Sequence, residues 1–414
     1  MAGQRTIRSL GLRQISEHLF FCYMHAALLV FITVSGSHLS GQIVATLNEP
    51  HRNLYISPNG SDSNDGTAMA PFSSFQKADS VVQPGDTVHV LPGTYEGYTD
   101  RNTLRLATSG SSSARIRWVA DSKWTARIVG HVNPANELGW GIVISGSYVD
   151  LVGFDVTSDA NMGIWVLGTH VRVLGNHVHD IPGQHGCSSY GASGIEQGNY
   201  SGGYMEVIAN VVHDIGAGGP GSCNKYHGIY LAAPFDTAVN NISYHNASKG
   251  ITTWHAASHN TISNNTVFDN DVGILVGAGD SPCFRHCSAD YVVVSNNIIY
   301  SNRSIGFWQY SQTGPHNLYT HNLVYANRVQ DVLLRQNCPQ SSIKTCSSFD
   351  HAIALDPQFI HATGSFSTGD YHLRDTSPAR NAGTGIGSPA VDFEGTPRFE
   401  GRAPDLGAYE CARH

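Results

Sequence analysis

Lys225, Tyr226 and His227 stand together immediately before a Gly228-Ile229-Tyr230 step, and Lys249 precedes Gly250-Ile251 as His227 precedes Gly228. A neutral imidazole can take a proton, an ammonium can neutralise negative charge developing beside it, and a phenol can return a proton. That set suits proton removal next to a uronate carboxyl group, the step shared by elimination and epimerisation. His227 is the first choice as base, Lys225 or Lys249 as the neutralising cation, and Tyr230 or Tyr226 as the donor. Glu196 stands two residues after Gly194, as Tyr230 does after Gly228 and Thr252 after Gly250, so all three belong to one outward column. Trp254 and His255 follow on the Lys249 turn. Trp165 and Trp308 also stand two after a glycine, where they offer platforms for sugar rings or packing for neighbouring turns. Hydrolysis would instead need two carboxyl groups flanking one glycosidic bond. Glu196 with Asp214 or Asp180 is the pair available for it.

These residues lie in a repeat, and the repeat must position them. Asn followed by apolar residues and an aromatic or His recurs at Asn176, Asn210, Asn241, Asn265, Asn297 and Asn322, at intervals of 34, 31, 24, 32 and 25 residues. Alternating with it is Gly followed by Ile or Phe, at Gly163, Gly194, Gly228, Gly250, Gly273 and Gly306. A period in the twenties with short β-branched strands is the pattern of a solenoid, each turn burying its apolar face on its neighbours. Strand alternation then places Ile164, Ile195, Ile229, Ile251, Ile274 and Phe307 in one inward column. The asparagines read as corner residues that tolerate a left-handed bend and stack amide on amide. His179 and His213 read as members of an aromatic ladder with Tyr244, Phe268, Tyr300 and Tyr325. From the Asn corner to the next Gly corner takes 18 residues after both Asn176 and Asn210, but 9, 8 and 9 after Asn241, Asn265 and Asn297. Residues 181–193 and 215–227 are therefore paired insertions at one edge, where function is expected to concentrate.

Charged residues make up only 14% of the chain, glycines number 44, and the net charge is −8. That composition favours strands and tight turns over helices and supplies no basic field for nucleic acid. Arg5, Arg8 and Arg13 precede an apolar stretch from Leu19 to Val34 and small residues from Ser35 to Gly41, the parts of a secretory signal or a single N-terminal anchor. An exported chain accommodates disulfides, and Cys187–Cys223, Cys283–Cys287 and Cys338–Cys346 are the local pairings, with Cys411 left over. No metal-ligand motif is present; calcium is a candidate only at Asp62, Asn64 and Asp65, which serve equally as turn residues before Gly66. Pro71 to Ala78 reads as a short amphipathic helix capping the open end of the solenoid.

The opening Tyr55-Ile-Ser-Pro-Asn-Gly-Ser-Asp-Ser-Asn-Asp-Gly-Thr67, with Pro84-Gly85-Asp86-Thr87 and the His227-Gly-Ile-Tyr230 and Asn265-Thr-Val repeats, resembles bacterial pectate-lyase-like β-helix proteins. Asp356-Pro-Gln-Phe359, Asp370-Tyr-His-Leu373, Asp392-Phe-Glu-Gly395 and Asp405-Leu-Gly-Ala-Tyr-Glu410 resemble the choice-of-anchor Q tail of such exported proteins. The resemblance implies an all-β, single-stranded right-handed parallel β-helix. Its members include polysaccharide lyases, glycoside hydrolases and uronan epimerases, so it does not choose a reaction. The expected layout is a signal or anchor at 1–41, a linker at 42–53, cap and first turns at 54–130, the β-helix at 131–355, and C-terminal turns with the tail at 356–414. The expected function is that of a secreted, periplasmic or cell-surface monomer that binds a polysaccharide in a surface groove and acts as a lyase or epimerase. A glycoside hydrolase and a noncatalytic glycan-binding solenoid are the alternatives.

Overall fold

The computed structural model describes residues 51–96, 104–132, 139–183, 191–216, 223–279, 289–334, 347–399 and 402–411. The signal or anchor, residues 184–190 and 217–222 of the two insertions, and Cys187, Cys283, Cys287, Cys338 and Cys346 lie outside the described residues. Among the described residues no helix is long and apolar enough to cross a membrane.

Three parallel sheets run the length of the molecule, one of eleven strands and two of nine, and the chain visits them in rotation, forming the right-handed parallel β-helix. Within these sheets each strand but the end ones is hydrogen-bonded to the equivalent strands one turn earlier and later, and Phe359–His361 and Asp370–Leu373 form a separate antiparallel pair. Ile142, Ile164, Ile195, Ile229, Ile251, Ile274 and Phe307 are successive register partners, all without solvent exposure. One continuous core therefore fills the helix from Leu54 to Val324.

The Asn column forms as expected, but the bend belongs to another residue. The left-handed φ falls on the residue just before each ladder asparagine: Gly175, Ala209, Asn240, Asn264, Asn296 and His321. That bend turns the following Asn inward. Its amide oxygen accepts the backbone N–H of the previous turn's Asn, while its NH2 donates to a carbonyl of the preceding turn and to the next Asn: Asn241 N–H to Asn265 Oδ1 is 2.8 Å, Asn265 Nδ2 to the Ala238 carbonyl is 2.9 Å and Asn265 Nδ2 to Asn297 Oδ1 is 2.9 Å. A second ladder runs through Asn246, Asn270, Asn302 and Asn327. At the remaining corner a rank of left-handed residues stacks ring on ring through Tyr148, His170, Tyr204, Phe235, His259 and Tyr291.

The capping helix spans Phe75–Val81, later than the expected start, because Pro71-Phe72 is extended and bridges Ile56. Ser74 is its N-cap, accepting from the Lys77 N–H at 3.1 Å. Asp62 in turn accepts from Ser73 and Ser74 backbone N–H and from both hydroxyls. Asp65 is held by Thr67, and Asn64 donates to the Pro71 carbonyl. These side chains fasten the 61–67 loop to the segment that leads into the capping helix.

The C-terminal residues pack on the outside of the sheet that carries Tyr244 and Phe268, through Phe359, Tyr371, Leu373, Phe393 and Leu406. Arg398 is fully buried there, donating to Asn240 Oδ1 at 2.7 Å and to the Gly407 and Ala408 carbonyls. Cys411 is a free thiol, whereas Cys223 is disulfide-bonded.

Candidate active site

Three consecutive strands of one nine-stranded sheet, Ala192–Gln197, Tyr226–Leu231 and Lys249–Thr253, carry the cluster. Ser193, His227 and Lys249 are register partners along one row, and Trp165, Glu196, Tyr230, Thr252, Leu275 and Trp308 along another. Neighbouring strands in a sheet are about 4.8 Å apart. The Gly-Ile step sets both rows. Glycine and the apolar residue after it both turn inward, a Cβ on Gly228 meeting buried Ser243 Oγ at 2.5 Å, so the residues before and after the step, His227 and Tyr230, take the outer face. Glycine is required at the step itself: a Cβ on Gly228 would stand 2.6 Å from the Gly250 carbonyl oxygen, and one on Gly250 would stand 2.8 Å from that of Gly273.

The cluster is on the outer face yet largely withdrawn from water. Glu196 is 6% exposed, Tyr230 8%, Lys249 8% and His227 9%. Tyr230 lies edge-on to the His227 ring at 4.7 Å and against His255, which Tyr200 covers in a 3.8 Å stack. The Lys249 ammonium donates to the Asn224 carbonyl at 2.5 Å. Among the described residues His227 Nδ1 is buried without a hydrogen-bond partner.

Burial dictates the charge states. It pushes His227 well below the usual histidine range, reinforced by the nearby charges of Lys249 and His255, so the imidazole is neutral at pH 7. Burial likewise lowers Lys249 to about 8, against the pull of Asp271. Burial raises Glu196 to about 7, opposed by a hydrogen bond from Ser193. A neutral imidazole, an ammonium close to losing its proton and a carboxyl that retains its proton to neutrality thus share one patch, a set able to pass protons.

The Glu196 shift has a consequence for stability. Its ordinary value is 4.5 and its folded value about 7. The stability this carboxyl contributes is complete below pH 4.5 and is lost as pH rises through about 7, because the unfolded chain releases the proton first. Glu196→Gln removes that loss. The variant is expected to gain on the wild type by about 3 kcal/mol between pH 4 and pH 8, read from urea midpoints across that range. A pH-independent difference would refute the shift.

The other expected residues divide. Lys225 is exposed at the mouth of strand Tyr226–Leu231. Trp165 is half-buried and stacks on Trp140 at 5.1 Å. Trp254 and Trp308 are half-buried over Val272, Leu275 and Ile305, with Tyr310 against both. Tyr226 does not face the site. It is 2% exposed within the core, with its hydroxyl donating to the Gly183 carbonyl at 3.3 Å, because strand alternation turns it away from His227. The hydrolase pairing also fails to assemble. Asp180 and Asp214 sit at the end of strands in another sheet, engaged with His179 and with His213 and His245, so neither stands opposite Glu196. Ser193, Tyr200 and Asp271 were not anticipated. Ser193 was legible, standing one turn before His227 in the same register; Tyr200 arrives by a loop, which no repeat spacing reveals.

The family model described as "Pel9A-like, right handed beta helix region" matches residues 54–340. Pectate lyase L of Dickeya dadantii is 25% identical over 430 positions, spanning 94% of this chain and 98% of that protein. The crystal structure of pectate lyase Pel9A superimposes with a TM-score of 0.61 at 20% identity, covering 87% of this chain and 96% of its own. A rhamnogalacturonan lyase structure gives 0.54 at 16% identity over 75% of this chain and 90% of its own. At these identities the two structures speak for the fold.

Proposed function

Because this chain belongs to the Pel9A-like right-handed β-helix family, we propose that it is an exported polysaccharide lyase acting on a uronate-containing chain laid along the outer face of the Glu196–His227–Lys249 sheet. The observation that carries this reading is the stacked register of Ser193, His227 and Lys249 beside Glu196, Tyr230 and Thr252. In the proposed reaction neutral His227 removes the proton from the carbon bearing the uronate carboxyl. The electron pair left behind forms the new carbon–carbon double bond and expels the glycosidic oxygen. Lys249, with Lys225 at the rim, balances the charge that builds on the carboxyl in the transition state, and Tyr230 returns a proton to the leaving oxygen. An epimerase would share the first step and return the proton to the opposite face. Burial of Lys249 favours a second reading of the same site, in which its neutral amine is the base above about pH 8. The C-terminal segment, with its choice-of-anchor Q-like motifs, would serve presentation of the exported protein.

Trp165 and Trp308 lie in the Glu196–Tyr230 row, one turn and three turns from those residues. As sugar platforms they bracket the cluster by five strand spacings, about 24 Å. Trp165→Ala is expected to raise KM about fivefold with kcat little changed, the loss of one ring stack from ground and transition states alike. A fall in kcat at constant KM would remove Trp165 from that role.

The direct test is incubation with polygalacturonate, alginate and a neutral xylan. Ultraviolet-absorbing unsaturated ends on a uronan support the lyase. New reducing ends without that absorbance would establish a hydrolase, an altered uronate configuration without chain cleavage an epimerase, and binding without product a noncatalytic solenoid.

A further inference from the structure

A second cluster of reactive side chains lies on a different sheet, outside the proposed active site. Strands His177–Ile181 and Val211–Ile215 pair in register, His179 opposite His213, and His177 pairs with Asp155 one turn earlier. The rings pack closely, His177 to His179 at 4.1 Å and His179 to His213 at 5.3 Å. One ring nitrogen from each of His177, His179 and His213 lies within 4.8 Å of the others.

Each ring is also oriented by a carboxylate. His177 Nδ1 donates to Asp155 at 2.9 Å, His179 Nδ1 to Asp180 at 2.8 Å, and His213 Nδ1 to Asp214 at 2.5 Å. His245 supports Asp214 from the next turn. For His177 and His213, donation from Nδ1 leaves Nε2 as the lone-pair nitrogen of a neutral ring, whereas His179 Nε2 donates to Asp155 Oδ1 at 2.8 Å and becomes a ligand only by giving up that bond. Yet His177 Nε2 and His213 Nε2 face each other at 2.9 Å. Two lone pairs do not rest at that separation unless a positive charge lies between them, either an extra proton or a metal ion. A carboxylate behind each imidazole is the outer shell that fixes the tautomer and raises the basicity of a metal-bound histidine. Ordinary ring stacking accounts for the contacts between ring faces but not for this edge-to-edge approach.

We propose that His177, His179 and His213 form a site for a divalent transition metal, with Asp155, Asp180 and Asp214 as its outer shell. Three imidazoles select zinc, copper, nickel or cobalt over calcium or magnesium, which prefer oxygen. Metal–nitrogen bonds of about 2.0–2.1 Å fit the gap between His177 and His213 with little movement. An ion would displace the proton that His179 Nε2 now donates to Asp155 Oδ1 at 2.8 Å, with Asp155 still holding His177 Nδ1 and water free to take the remaining position. The side chains are partly accessible, His177 at 23%, His179 at 11% and His213 at 13%, so an ion can enter without unfolding. A bound ion would tie consecutive turns of the β-helix together.

The test uses the untagged full chain, freed of metal by a chelator that is then dialysed away. Titration with Zn2+ against a chromophoric competitor is expected to show one equivalent bound. Co2+ is expected to give the visible absorption of a nitrogen-ligated site in the wild-type chain, a readout that needs no variant. His213→Phe and His177→Phe, which keep a ring in the stack, are expected to weaken Zn2+ at least about tenfold. His259→Phe, in the separate aromatic rank, is expected to leave it unchanged. Stoichiometry far below one, a Co2+ spectrum matching the hydrated ion, or wild-type affinity in both His→Phe variants would overturn the site. None of these outcomes depends on glycan cleavage.

Discussion

His227→Ala is expected to lower kcat on a uronan by about 10²- to 10⁴-fold, the usual contribution of a positioned general base. The ring packs against Tyr230 and lies beside Lys249, so its loss empties the centre of the cluster. KM should change far less, because the imidazole acts only as the proton moves. Circular dichroism and the urea midpoint serve as folding controls, with His227→Gln retaining much of the side-chain volume. Full activity in both variants would exclude His227 as the base. The pH profile separates the two assignments. With His227 as base and Lys249 as the cation, kcat is level from below pH 6.5, since burial holds His227 well under that value, and falls as Lys249 loses its charge near about pH 8. With Lys249 as base, kcat instead rises through about pH 8. Lys249→Met removes activity under either assignment, so the direction of the profile is the deciding measurement.

Asn265→Leu is expected to be the most damaging substitution for the fold outside the hydrophobic column. The Asn265 amide oxygen accepts from Asn241 N–H at 2.8 Å and Asn241 Nδ2 at 3.0 Å. Its NH2 donates to the Ala238 carbonyl at 2.9 Å, the Ser263 carbonyl at 3.1 Å and Asn297 Oδ1 at 2.9 Å. Every one of these bonds is buried, so leucine strands donors and acceptors on both neighbouring turns where water cannot replace them. At about 1–3 kcal/mol for each stranded group, the loss should reach about 3–6 kcal/mol, a large part of the stability of an ordinary domain. The check is the urea midpoint of the variant against the wild type, with exposed Asn59→Ala as a comparison expected to stay within about 0.5 kcal/mol. A loss under about 1 kcal/mol for Asn265→Leu would mean that the ladder relaxes to satisfy itself.

The recurring Asn and Gly-Ile steps determined the solenoid, because each turn must bury the same kind of residue at the same corner, and a spacing repeated along the chain is therefore a statement about contacts between turns. The same logic places Glu196, Tyr230 and Thr252 in one row and His227 beside Lys249, as the strand register has them. It assigned His179 and His213 to a ladder, which they do form. What spacing along one strand could not supply was the third dimension of each site. Tyr226 adjoins His227 in the chain but points into the core, because alternate side chains of a strand take opposite faces. His177, two residues from His179, curls back until its Nε2 meets that of His213, an approach set by side-chain torsions and by the carboxylates behind the rings. The corner bend fell on the residue before each Asn, since an amide that must reach inward to its neighbours leaves the left-handed turn to the position ahead of it. The opening pair His227 and Lys249 shows the division most clearly. Register made them neighbours; burial, which depends on every loop folded over them, decided that one is neutral and the other close to losing its charge.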